Sequence, residues 1–209
     1  LQSDASQRMT KDIMNRAYIT PKRIVTKYAG CKNNLIKDEH YLLERGNGQS
    51  EMNRKKCCIM TSTETEKASL LLDFGSELHG GLKLVMGSSS RREPSLVRIR
   101  FGESVGEANS TTSNTEWKVG FSTDDHAKRD IIMEIPRDGM IEIGNTGFRF
   151  VRLDLLQNNA TISLKEISAI LRYRDIPYLG SFECNDQRLN KIWITGAYTV
   201  HLNMQEFLW

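Results

Sequence analysis

The chain has 209 residues, of which 39% are hydrophobic and 26% charged, with 15 glycines and 4 prolines. A chain of this length buries roughly 70% of the surface that its unfolded form exposes, and its composition excludes collagen, coiled coil and wholesale disorder. The net charge of +3 is uneven: residues 1–60 carry 12 basic and 6 acidic side chains, and residues 61–209 carry 17 and 20. Apart from Arg54-Lys55-Lys56 the basic residues are scattered, with no basic stripe interleaved with aromatics, so nucleic acid is not expected as a partner. No apolar run approaches the ~18 residues of a membrane span.

In chain order, residues 1–17 begin with the polar Ser3, Asp4, Ser6 and Gln7 and are expected to fray. Short β-like runs then follow over residues 18–178, at 23–26, 41–43, 57–60, 69–73, 82–86, 96–101, 131–135, 140–143, 148–156 and 162–173. Val97, Ile99 and Phe101 alternate with Arg98 and Arg100. Ile167, Ala169, Leu171 and Tyr173 alternate with Glu166, Ser168 and Arg172. Period-two alternation means one buried and one wet face, as in antiparallel sheets. Gly46-Asn47-Gly48, Gly80-Gly81, Asp138-Gly139 and Gly144-Asn145-Thr146-Gly147 read as turns between the runs. The expected fold is mainly β, an antiparallel, jelly-roll-like β-sandwich. Phe148, Phe150, Val151, Leu153 and Leu155 change parity midway, which predicts a bulge or burial on both faces.

The long polar loop 102–125 contains Trp117. After Pro177 the period turns helical. Leu189, Ile192, Trp193, Ala197, Val200, Met204, Phe207 and Leu208 form a stripe at spacings of three and four. Asn185 is the expected N-cap, Asp186 complements the dipole, and the helix is expected to run to Trp209 without a C-cap. Residues 179–209 therefore read as a linker and a truncated amphipathic helix. The cysteines, Cys31, Cys57, Cys58 and Cys184, match no zinc spacing. A bridge from Cys31 is conceivable, but buried free thiols are the preferred reading, and no cofactor or metal is expected.

Several motifs suggest chemistry. Gly102-Glu103-Ser104-Val105-Gly106 matches the G-x-S-x-G nucleophile elbow, and His79-Gly80-Gly81 is of the oxyanion-hole type. An esterase using Ser104 is one reading. Against it, the elbow needs a following helix, 109–114 is a poor helix former, and the sheet is not parallel. Asp73-Phe74-Gly75 matches the kinase metal-binding triplet but lacks every companion motif, so a strand-end turn explains it better. Asp124-Asp125-His126 reads as a solvated cluster before a cation site. Asn109-Ser110-Thr111 and Asn159-Ala160-Thr161 are formal glycosylation sequons. Trp117 is the candidate carbohydrate-binding residue, since an exposed ring offers an apolar face to a sugar, although packing over the sandwich weighs against it.

Longer words then carry a resemblance. Leu71-Leu72-Asp73-Phe74-Gly75-Ser76-Glu77-Leu78-His79-Gly80-Gly81, Val97-Arg98-Ile99-Arg100-Phe101-Gly102-Glu103-Ser104, Gly144-Asn145-Thr146-Gly147-Phe148-Arg149-Phe150-Val151-Arg152 and Tyr173-Arg174-Asp175-Ile176-Pro177 resemble the β-sandwich of bacterial α-L-rhamnosidases of glycoside hydrolase family 78. Gly180-Ser181-Phe182-Glu183-Cys184-Asn185-Asp186-Gln187-Arg188-Leu189-Asn190-Lys191-Ile192-Trp193 is similar to that family's passage from sandwich into catalytic barrel. The resemblance implies a parent reaction of inverting hydrolysis of terminal α-L-rhamnosides, by paired carboxylates about 6.5–9.5 Å apart in an α/α-barrel. It also implies that this chain stops before that acidic segment, so no catalytic residue is carried over. The implied identity is a non-catalytic accessory fragment whose partners are the missing barrel and rhamnose-containing glycans, in a periplasmic or extracellular bacterial setting. A free-standing carbohydrate-binding module is the alternative. Without the barrel, the helix stripe is expected to pack on the sandwich or on a second copy in a homodimer.

Overall fold

The computed structural model describes residues 14–50, 55–110 and 129–205. Among them are nine strands: β1 Met14–Ile19, β2 Arg23–Tyr28, β3 Ile36–Lys37, β4 Cys58–Thr61, β5 Ser69–Ser89, β6 Ser95–Gly102, β7 Asp130–Ile135, β8 Gly139–Leu155 and β9 Thr161–Arg174. A 3-10 turn spans Glu39–Leu43, and the helices are α1 Val105–Asn109 and α2 Gln187–Leu202. The fold is mainly β and antiparallel, as the alternation predicts. The hydrogen-bonded order is β3-β4-β9-β5-β8-β6-β7, with β1 on β9 and β2 on β5.

Two long strands shape the sandwich. β5 has 21 residues, and a straight strand of that length would span ~70 Å, more than a domain of this size is wide. It bends instead: its pairing with β8 loses register between Asp73 and Leu78 and again between Gly80 and Leu82. β2 flanks its first part, with Tyr28 opposite Ser69 and Arg23 opposite Asp73. β9 flanks its last part, where Ser88 meets Ser163 and Lys83 meets Glu166. One strand thereby serves both layers. The core between them centres on Phe148, whose ring meets Phe101 at 4.9 Å and Phe74 at 5.9 Å, both edge-on, the favoured aromatic geometry.

These strands correct several expectations. The runs 69–73 and 82–86 are one strand, as are 140–143 and 148–156. Gly80-Gly81 and Gly144-Asn145-Thr146-Gly147 lie inside strands as bends, not between strands as turns, and Asp73-Phe74-Gly75 opens a bulge inside β5. Residues 41–43 belong to the 3-10 turn, and β1 takes in residues 14–17, which the polar start suggested would fray. The parity change in β8 is matched by both of its predicted causes: a register shift faces it, and Phe148, Val151, Leu153 and Leu155 are all buried.

The face expected to be wet is largely covered. Arg100, Glu166 and Ser168 are buried, as Ile99, Ile167 and Ala169 are. Each buried charge has a partner, as desolvation demands. Arg100 Nη2 lies 2.7 Å from Asp154 Oδ2, and Lys83 Nζ lies 2.7 Å from Glu166 Oε1. Glu166 also accepts from Gly48 N–H at 3.0 Å and from the Ser168 hydroxyl at 2.5 Å, which ties the 46–48 loop to β9. All four cysteines are free thiols: Cys57 and Cys58 are buried, and Cys31 is exposed. Burial pushes the Cys58 thiol up to about 12.

The chain divides into a larger unit, Tyr18–Ile170, and a smaller one that gathers Leu1–Ala17 and Leu171–Trp209, of which 14–17 and 171–205 are described. In the smaller unit, Asp186 and not Asn185 caps α2, its carboxylate accepting from Arg188 N–H at 2.8 Å. The helix ends at Leu202 and does not run to the last residue. Asn203 closes it, its amide donating to Thr199 O at 2.9 Å. His201 Nε2 donates to Arg174 O at 2.7 Å, which leaves Nδ1 to accept from the Tyr178 hydroxyl at 2.8 Å. Of the predicted stripe, Trp193, Ala197 and Met204 are half-buried, whereas Leu189, Ile192 and Val200 are 47%, 60% and 57% exposed. Phe207, Leu208 and Trp209 lie outside the described residues. No helix among the described residues is long and apolar enough to cross a membrane.

Candidate functional site

The bulge in β5 lies at a cluster of paired charged side chains in the larger unit. Residues 74–77 have no partners on β8. Gly75 takes φ +93° there, a left-handed conformation that favours glycine. The turn folds the chain over Asp73, whose side chain is 2% exposed. Its carboxylate is saturated. Gly75 N–H reaches Oδ1 at 2.8 Å, Arg149 Nε reaches Oδ1 at 2.8 Å, and Arg149 Nη2 and Arg23 Nε both reach Oδ2 at 3.0 Å. The Arg149 bonds foremost, with those of Gly75 and Arg23, outweigh burial and hold the acid down to about 2. The guanidinium of Arg149 also lies over the Phe150 ring, 5.0 Å from its centroid. Thus β2, β5 and β8 each supply one member of an Arg-Asp-Arg triad.

Beside the triad stands α1. Gly102 allows it to fold back on β6, because a Cβ there would sit 2.5 Å from Ala108 N. Ser104 caps it by accepting Glu107 N–H at 3.2 Å, while the Glu107 carboxylate accepts Glu103 N–H at 2.9 Å, a near relative of the capping box. Arg100 Nη1 donates to Asn109 O and Ser110 O, and Arg152 Nη1 donates to Asn109 Oδ1 at 2.8 Å. Arg129 bridges Glu103 at 3.0 Å and Glu107 at 2.5 Å. Glu77, on the bulge, is within electrostatic reach of Glu103, Glu107 and Arg129 and of Arg149. Burial foremost, then the charge of Glu103, pushes its acid up to about 7.

The motif candidates fare differently. A five-residue helix does follow the G-x-S-x-G run, contrary to expectation, but Ser104 spends its hydroxyl as the cap and the preceding strand is antiparallel. Neither feature is the strand-and-helix setting of a nucleophile elbow, so the structure gives the esterase reading no support. His79 lies half-buried in β5. Trp117 and Asp124-Asp125-His126 lie outside the described residues. Among the described residues no group of three or more His, Cys, Asp or Glu is arranged to hold a metal ion. The triad itself went unread: no spacing relates positions 23, 73 and 149, which only the pairing of β2 and β8 with β5 brings together.

No protein-family model matches the chain, and no curated protein matches it. Solved structures do. A rhamnosidase from Klebsiella oxytoca, solved with rhamnose bound, shares the fold with a TM-score of 0.65 over 98% of this chain at 16% identity, and the match takes up 38% of that chain. A rhamnosidase of glycoside hydrolase family 78 from Bacillus sp. GL1 gives 0.58 over 73% of this chain and 15% of its own, at 19% identity. The chain thus has the fold of one part of these rhamnosidases and spans well under half of their length.

Proposed function

We propose that the chain is the non-catalytic β-sandwich portion of an α-L-rhamnosidase-like glycoside hydrolase, working beside a catalytic α/α-barrel. The observation that carries this is the match over 98% of this chain to 38% of the Klebsiella oxytoca rhamnosidase. Two features support it. The strongest carboxylate constellation is committed to arginines, and Asp73, held down to about 2, is neither a free acid nor a base at neutral pH. The smaller unit exposes Leu179 at 94% and Ile192 and Ile194 at 60% each, side chains suited to packing against further helices. In this reading residues 18–178 are the sandwich and 179–209 lead into the barrel. The barrel and rhamnose-bearing glycans are its partners, and a second copy takes up the α2 stripe when no barrel is present.

The test combines gene and enzyme. The reading frame beyond the Trp209 codon should encode an acidic barrel segment, and the isolated chain should not hydrolyse aryl α-L-rhamnosides. Turnover that survives repurification and is abolished by replacing one sandwich carboxylate refutes the proposal. The rival, a free-standing carbohydrate-binding module, requires micromolar affinity for rhamnosides that is lost on Trp117→Ala.

A further inference from the structure

We propose that Arg23 and Arg149, splayed on Asp73, form with Glu103 a binding site for a neutral sugar that presents vicinal hydroxyls. This deepens the carbohydrate-related reading above and rests on it.

The donors are fixed in advance. Arg149 is held by two bonds to Asp73 and by the Phe150 ring, and Arg23 by one bond to the same carboxylate. Both guanidiniums contact Asp73 Oδ2 and are therefore within a few ångströms of each other. Asp73 is saturated, so it orients the arginines and offers nothing to a ligand. The side chains of Arg23 and Arg149 remain 60% and 39% exposed. The bonds to Asp73 use Nε of Arg23 and Nε and Nη2 of Arg149, so their other amino groups are unengaged among the described residues. A planar fork held this way loses little freedom when a ligand accepts from it.

The acceptors are also held, and Glu103 follows directly on Gly102, which pairs with Phe150, the neighbour of Arg149. Glu103 is pinned by Arg129 yet keeps a side chain that is 58% exposed, and Glu107, pinned likewise, keeps 36%. Charge selects the ligand class. Three guanidiniums, of Arg23, Arg129 and Arg149, are matched by the carboxylates of Asp73, Glu103 and Glu107, with the half-buried acid of Glu77 in addition. An anion gains no net attraction here. A hydroxyl both donates and accepts, so adjacent hydroxyls suit donors and acceptors set side by side. Exposed polar contacts of this kind give weak affinity, in the millimolar range.

The test is a titration of the whole chain with L-rhamnose, read by backbone amide NMR shifts, with D-galacturonate as the anionic probe. Saturable millimolar shifts at residues 73–78 and 149–152 are expected, with galacturonate binding no tighter. Arg149→Lys, which keeps a cation on Asp73 but loses the fork, should weaken rhamnose at least tenfold while thermal unfolding stays close to wild type. Should that variant unfold, Arg23→Gln, at a more exposed position, carries the same expectation. No saturable shift, shifts confined elsewhere, or wild-type binding in a folded variant overturns the site. Tighter, salt-sensitive galacturonate binding overturns the neutral class. A chain that ignores every sugar yet continues into a barrel loses this site and keeps its accessory role.

Discussion

Replacing Asp73 by Asn tests whether the bulge is held by charge. The carboxylate is 2% exposed and receives four hydrogen bonds from Gly75, Arg149 and Arg23. Its acid is lowered from 3.8 to about 2, and at 1.36 kcal/mol per pKa unit that corresponds to about 2 kcal/mol of folding stability. Asn keeps one oxygen for Gly75 or Arg149 but leaves the two guanidiniums without their shared anion. Stranding buried charges costs about 3–5 kcal/mol. Here the arginines are exposed and rehydrate, so the expected loss at neutral pH is about 2–3 kcal/mol. The sign with pH follows from the lowered value. The stabilisation is fully present above the unfolded value near 3.8 and is lost as pH falls toward 2. Urea unfolding of wild type and Asp73→Asn should therefore show a gap at neutral pH that more than halves by about pH 2, the other carboxylates cancelling between the two proteins. A gap independent of pH, or one below about 0.5 kcal/mol at neutral pH, refutes the reasoning.

Glu77→Gln should act with the opposite sign. The folded protein favours the neutral acid, so the wild type loses stability as pH rises from 4.5 through about 7, and the variant should gain on the order of 1–2 kcal/mol above that range and nothing below it, read by thermal unfolding at both ends. Phe148→Ala removes the ring that both Phe74 and Phe101 meet edge-on and should cost about 3–5 kcal/mol in chemical unfolding. Ile192→Ser with Val200→Ser alters side chains that are 60% and 57% exposed, so unfolding should shift by less than about 0.5 kcal/mol, and if the proposed pairing through α2 forms, sedimentation should show it for the wild type and less of it for this variant.

The strands were legible because apolar alternation is a local signal. Val97, Ile99 and Phe101 read as one buried face and are one. What escaped was whatever the partner strand decides. Glu166 and Arg100 look like solvent-facing residues until Lys83 and Asp154 arrive from other strands. Gly80-Gly81 spells a turn in isolation, yet β8 pairs across it and makes it a bend. Helix α2 was found from its period, but its end was overrun because Asn203 closes it through bonds to Thr199 and Val200 that apolar spacing does not encode. The Arg23-Asp73-Arg149 triad was invisible for the same reason as the ion pairs: its members share a place only after three strands have found one another.

The continuity of β5 has a consequence for how the protein is made. The strand is complete once Ser89 leaves the ribosome, but its partner β8 begins at Gly139 and the strand that flanks its far end, β9, at Thr161. At about 5–20 residues per second the nascent chain spends several seconds with β2 on hand to pair the start of this long, apolar strand, while the edges that β8 and β9 will cover stay open. Residues such as Leu70, Leu72, Leu82 and Leu84, fully buried at the end, are meanwhile available to any other sticky segment. Yield during expression should thus depend on how well nascent chains are shielded by chaperones at least as much as on the stability of the finished sandwich.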